Sequence, residues 1–263
     1  MRHWLTSQIY YQKGSVMKLS YLVAVLAITA ATNAKADVAG VTAGIEMWQA
    51  DPTLTAGDTG YAQSLTAGDE NTTAVYVAFE HPIPLLPNLA LRRQSLDFSG
   101  STKLAAELRL DGVAFPKDTV LDNQLKLAYT DASLYYELLD NDLVSLDLGV
   151  TARFVKADAN ASAANNSAST DFSVPLPMFY WNASLGIPAT SASVFFTGNY
   201  VNYSDNSFYD ARAGLAYEVI DATAMSLAVK LGVQKLDLDV QDQDNIDAKV
   251  ALDGAFLALE IDF

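Results

Sequence analysis

The chain has 263 residues, 51% of them hydrophobic and 18% charged, with a net charge of −15 and no cysteine. The acid excess excludes a nucleic-acid partner, which needs a basic footprint, and the missing cysteines exclude disulfides and thiol chemistry. All 31 acids lie past residue 36, and beyond that point no apolar run approaches the roughly 20 residues of a membrane-spanning helix, so the oily content is dispersed.

Residues 1–16 hold Trp4, Tyr10 and Tyr11 in no pattern and read as translation from a start codon upstream of the true one near Met17. Met17-Lys18 precedes an apolar stretch from Leu19 to Ala31, and Ala34-Lys35-Ala36 supplies small residues at both cleavage-determining positions. Residues 1–36 are therefore expected to be a signal peptide cleaved before Asp37, leaving residues 37–263 as one barrel unit. The apolar stretch is too short to anchor the chain across hydrocarbon roughly 30 Å thick.

From Asp37 onward the period is two, the spacing at which strand side chains alternate between faces. Val144, Leu146, Leu148, Val150, Ala152 and Phe154 interleave with Ser145, Asp147, Gly149, Thr151 and Arg153, and the segments around Tyr209–Val219 and Met225–Val233 repeat the pattern. The alternation predicts strands near 38–48, 72–81, 89–98, 124–138, 143–156, 178–187, 192–203, 207–219, 223–239 and 251–263, joined alternately by long and short connections. Long connections on one side and short turns on the other describe an all-β, closed antiparallel transmembrane β-barrel of about ten strands, with short periplasmic turns and longer extracellular loops, located in the outer membrane. Closure is demanded because lipid offers no hydrogen-bond partner to an open strand edge. Near Arg92 and Arg93 the alternation falters in the manner of a bulge.

Aromatic residues fall where interface girdles belong: Phe154, Phe179, Tyr180, Trp181, Tyr200, Tyr203, Phe208 and Tyr209 toward the outer strand ends, and Phe79, Tyr136, Tyr217 and Phe263 toward the inner ends. The chain ends in Leu257-Ala258-Leu259-Glu260-Ile261-Asp262-Phe263, apolar at every second position counted back from Phe263. This resembles the C-terminal signal of outer-membrane proteins, which implies the barrel-assembly machinery as a partner.

Three segments carry a further resemblance: Ala36–Gly44 with Trp48-Gln49-Ala50-Asp51-Pro52 after it, Phe79–Asn88, and Leu134–Asn141. In these the chain resembles a gammaproteobacterial outer-membrane β-barrel family that occurs alongside the GlyGly-CTERM/rhombosortase sorting system. The resemblance implies location and architecture and brings no catalytic residues.

Enzyme chemistry has little to build on, because His81 is the only histidine past the signal peptide and it opens a Pro-rich turn. No catalytic, cofactor or metal residues are assigned. Asp237, Asp239, Asp242, Asp244 and Asp247 crowd the last hairpin without the glycine that shapes a calcium loop, which leaves loose association with divalent cations. The Ala-, Asn- and Ser-rich segment 157–172 reads as a mobile spacer, and loops 49–71 and 99–123 as the candidate surface for binding. Glu46, Tyr76, Glu80, Asp131, Glu137, Asp147, Arg153, Asp210, Arg212, Glu218, Lys230, Gln234 and Glu260 are expected to face inward. A barrel this narrow is near the size that side chains fill. The expectation is a largely filled, charged lumen with a structural or surface-interaction role, among lipid and lipopolysaccharide; the alternative is a narrow cation-preferring channel.

Overall fold

Each strand that alternates in sequence does so in space, and the ends of the sheet meet. The computed structural model describes residues 39–263 apart from Pro84, Asp142, Asn165, Thr223 and Asp244. The expected signal peptide, residues 1–36, lies outside the described residues. Ten long strands form the wall: β1 (Gly40–Asp58), β3 (Glu70–Glu80), β4 (Asn88–Lys103), β7 (Val120–Asp140), β8 (Val144–Ala163), β9 (Asn166–Gly186), β10 (Ala192–Tyr203), β11 (Asn206–Ala222), β12 (Met225–Gln243) and β13 (Ile246–Asp262). Three short strands decorate them. β2 (Gln63–Leu65) pairs with β1, while β5 (Leu108–Leu110) and β6 (Val113–Phe115) form a hairpin between β4 and β7.

Every wall strand runs antiparallel to its neighbours, and β13 returns to pair with β1 from Thr42↔Asp262 to Asp58↔Ile246. Val41 and Phe263 exchange backbone hydrogen bonds of 3.2 and 3.0 Å at the end of that seam. The ring is therefore closed, with ten strands.

Burial follows parity. Glu46, Trp48 and Ala50 of β1 are buried while the alternate residues Ile45 and Met47 are exposed; on β13, Phe256 and Ala258 are buried while Leu257 and Leu259 are exposed. Outward apolar side chains on every wall strand, among them Val75, Leu91, Leu134, Val150, Val194, Leu215 and Leu231, make a continuous oily belt. In water such a belt would cost on the order of 25 cal/mol per Å² of exposed apolar area. Against acyl chains that cost vanishes.

The structure corrects several expectations from the sequence. Segment 157–172 is not a spacer: β8 and β9 stay paired without a register shift up to Ala163↔Asn166. Small residues give no oily period there because this part of the hairpin has no lipid to face, yet its backbone groups still pair. Likewise β10 and β11 meet directly at Tyr203↔Asn206, so length on this side comes from overshooting strands as much as from loops. Arg92 and Arg93 sit in unbroken register with β3 and β7, and the bulges fall instead at Glu137/Leu139, Glu218/Ile220 and Val240/Gln243. The alternation at Arg93 falters because this arginine points outward, donating to Thr130 Oγ1 at 3.0 Å. Among the proposed girdle aromatics, Phe154, Phe179, Tyr200 and Tyr203 do face out, and Trp181 stacks on Phe179 and packs at a tilt against Phe196. Phe208 and Tyr180 do not: Phe208 is buried beside Arg153, and Tyr180 packs on Tyr135 within the interior. Each lies one position from an outward neighbour, and an unbroken aromatic run hides which member turns in.

Candidate functional site

The strands aim their inward residues into a stack of levels. At the end bearing the short turns, carboxylates dominate. Tyr135 donates to Glu80 at 2.9 Å, Asn88 to Glu137 at 2.9 Å, Asn182 to Asp147 at 2.9 Å, and Thr42 and Ser226 to Asp262 at 2.5 and 3.2 Å. One level further in, Lys230 and Tyr76 both donate to Glu260, at 2.5 and 2.8 Å. Tyr76 reaches it because its ring lies over Gly44, its cross-strand partner, where any Cβ would overlap the ring.

The middle level is built on arginine. Arg153 from β8 makes two parallel hydrogen bonds of 2.7 Å to Asp131 of β7 and reaches across the lumen to Asp210 of β11. Beside it Arg92 of β4 bonds Glu46 of β1 at 2.5 Å, and Arg212 of β11 stands 3.6 Å from the other oxygen of the same carboxylate. Tyr129 lies 4.2 Å from the Arg153 guanidinium on one side and Phe208 4.9 Å on another, so the cation is held between two ring faces. Bidentate, charge-assisted geometry makes the Arg153–Asp131 pair both strong and directionally specific.

Above the arginines the interior turns apolar. Trp48, Leu96, Phe98, Leu127, Val155, Met178, Leu236 and Leu252 belong to one buried cluster within the ring. The charges expected inside from the sequence do face the lumen, but Arg92 and Asp262, which also do, were not among them, and the apolar layer was not foreseen. Parity alone does not disclose it, because Phe256 between Ala255 and Leu257 and Phe195 between Val194 and Phe196 sit in unbroken apolar runs; both also border the space below the arginines.

Below the arginines lies free volume. A space of about 220 Å³ is bordered by Glu46, Tyr76, Glu80, Arg92, Asp147, Arg212 and Glu260. It shares Asn182, Lys230 and Glu260 with a wider one of about 470 Å³ lined by the turn residues Ile187–Ala192, together with Glu218 and Asp262. Arg92 Nη1 and Arg212 Nε are buried without a protein partner. The polar side chains lining the inner space offer water the partners it needs. The arrangement is an acidic vestibule entered from the short-turn end and floored by ion pairs.

The other sequence candidates do not join this interior. His81 folds back on its own turn, with Nδ1 accepting from Ile83 N–H and Nε2 lying 3.2 Å from the Pro87 carbonyl oxygen. In the last hairpin Asp247 accepts from the Asp242 and Gly60 N–H groups, Asp242 from Thr59, and Asp239 pairs with Lys249 at 3.2 Å. Among the described residues no three acidic or imidazole side chains converge as metal ligands do.

An antiparallel barrel closed on itself, oily outside and ionic inside, is the architecture that lets strands cross lipid with every backbone group satisfied. The chain is an integral outer-membrane β-barrel. No protein-family model matches it, and no curated protein does. Among solved structures it is similar to the translocator domain of the autotransporter NalP from Neisseria meningitidis, at 9% identity and a TM-score of 0.43 over 94% of this chain and 95% of that one. It is also similar to the transport unit of the autotransporter AIDA-I from Escherichia coli, at 6% identity and a TM-score of 0.39 over 88% and 91%. Ail, the attachment invasion locus protein of Yersinia pestis, matches at 11% identity and a TM-score of 0.33 over 83% and 98%. Likeness at this level leaves the assignment resting on the strand pairing and the belt.

Proposed function

We propose that this barrel is a non-conducting outer-membrane protein with a largely filled lumen, acting through structure and surface contact rather than by passing solute or catalysing a reaction. One observation carries the reading: the Arg153–Asp131–Asp210 cluster lies directly beneath a packed apolar layer, so a hydrated ion entering the acidic vestibule meets buried ion pairs and then hydrocarbon side chains. Shedding water there is costly. The vestibule alone fits a cation path, and its carboxylates are what a narrow cation-preferring channel would use. Conductance of the purified barrel in a planar bilayer decides between the two. A silent bilayer is expected, and a stable cation-selective current would overturn the filled-lumen reading.

The partners belong to the same proposal. Arg93, Lys126 and Lys156 face outward on adjoining strands near the outer edge of the belt, where lipopolysaccharide phosphates would meet them. The seam strand ending in Phe263 would be the element read by the barrel-assembly machinery, and the acidic rim at Asp242 and Asp247 would gather divalent cations loosely. The sequence resemblance adds a working context beside the GlyGly-CTERM/rhombosortase system, tested by asking whether genomes that hold one also hold the other.

A further inference from the structure

We infer that the outer end of the barrel contains a dry binding site for a small apolar molecule, the size of one aromatic ring or a branched alkyl group. A cavity of about 120 Å³ lies there, walled by Leu54, Leu127, Ala157, Ala159 and Val250 from the barrel and by Leu108 from the β5–β6 hairpin. Of the polar residues at its edge, Asn123 donates to the Thr66 carbonyl at 3.1 Å and accepts from Thr102, and Gln124 donates to Asp97 at 2.9 Å; Thr55, Asn160 and Thr170 complete the border. A water molecule needs two to four polar partners, and this wall offers carbon instead. An engineered cavity of roughly 150 Å³ with aliphatic and aromatic walls stays dry and takes up benzene or xenon, which sets the scale for the occupant here.

The roof is a separate piece of chain. Leu108, Leu110 and Phe115 of the hairpin pack with Leu104, Leu121 and Ala161 over the mouth. Its tip is latched by Asp58, whose carboxylate accepts from the Asp111 and Gly112 N–H groups at 3.0 and 3.1 Å, and its flank by Asn166, which donates to the Ala114 carbonyl at 3.0 Å. Beneath the cavity, Leu127 belongs to the packed layer over the arginines, so the occupant enters from the outer side.

Crystals of the full chain pressurised with xenon test the site. A xenon peak is expected among Leu54, Leu127 and Val250. Ala159→Leu, which grows a side chain into the space, is expected to abolish that peak while the barrel keeps its heat-modifiable mobility. Ordered water in the wild-type cavity, no xenon within it under pressure, or a peak that persists in A159L would each overturn the inference. The wild-type crystal is decisive by itself if A159L does not assemble.

Discussion

Arg153 is wholly shut off from solvent, at 0% exposure, while its guanidinium faces two carboxylates from different strands. Removing the cation alone leaves Asp131 and Asp210 buried and opposed, a situation that costs about 3–5 kcal/mol in comparable sites. Arg153→Met is therefore expected to lower stability by that amount, read from urea unfolding in lipid vesicles. Replacing all three, as R153M with D131L and D210L, is expected to recover most of the loss, because apolar side chains of similar volume need no partner. A single variant as stable as the parent would show that water already screens the cluster. Gly44 acts on the same scale. Gly44→Val places carbon where the Tyr76 ring lies and breaks the 2.8 Å bond to Glu260, a loss of about 1–3 kcal/mol. In a Tyr76→Ala background the same change is expected to cost little, so a double-mutant cycle measures the contact.

At the scale of the element, β9 explains why the sequence was read well in one half and poorly in the other. Its inner part, Phe179 to Gly186, is paired on both sides and alternates clearly. Its outer part, residues 166–178, pairs with β8 alone, and no strand among the described residues takes its other edge. Pro175 and Pro177 sit in that stretch, just past the Ala-, Asn- and Ser-rich segment whose lack of an oily period made it read as a spacer. They share a parity, and the unbroken β8–β9 register means that both missing N–H groups point to the open edge. Proline there withholds the donors an intruding strand would use. The β5–β6 hairpin was hidden for a related reason, since three-residue strands carry no period. Pro175→Thr with Pro177→Thr restores two donors and is expected to make the detergent-solubilised barrel self-associate, seen as dimers or larger species in sedimentation velocity. A monomer at every concentration tested would mean that the edge is protected in some other way.

For the molecule as a whole, the two faces of the sheet answer to different solvents, and the sequence disclosed one of them better. Most charges turned inward were legible because a polar residue between two oily ones has a single sensible direction in lipid; Arg92, followed by the outward Arg93, has no such flanks and was not. Apolar residues turned inward were not, since Phe195 between Val194 and Phe196 looks the same from either side. That asymmetry makes the outer belt the part to test by substitution. Leu231, 60% exposed on β12, lies between the outward residues Val229 and Val233 and far from both strand ends. If acyl chains surround it, Leu231→Arg must push a guanidinium into hydrocarbon and lose about 2–4 kcal/mol, whereas an arginine near either interface loses about 0–1 kcal/mol. Tyr217→Arg, toward the short-turn end of neighbouring β11, supplies the interfacial comparison. Unfolding both variants from bilayers is expected to give the larger loss for L231R. Equal and negligible losses would mean that this side chain meets water, and an exposed oily belt on a protein in water has no physical reason to persist.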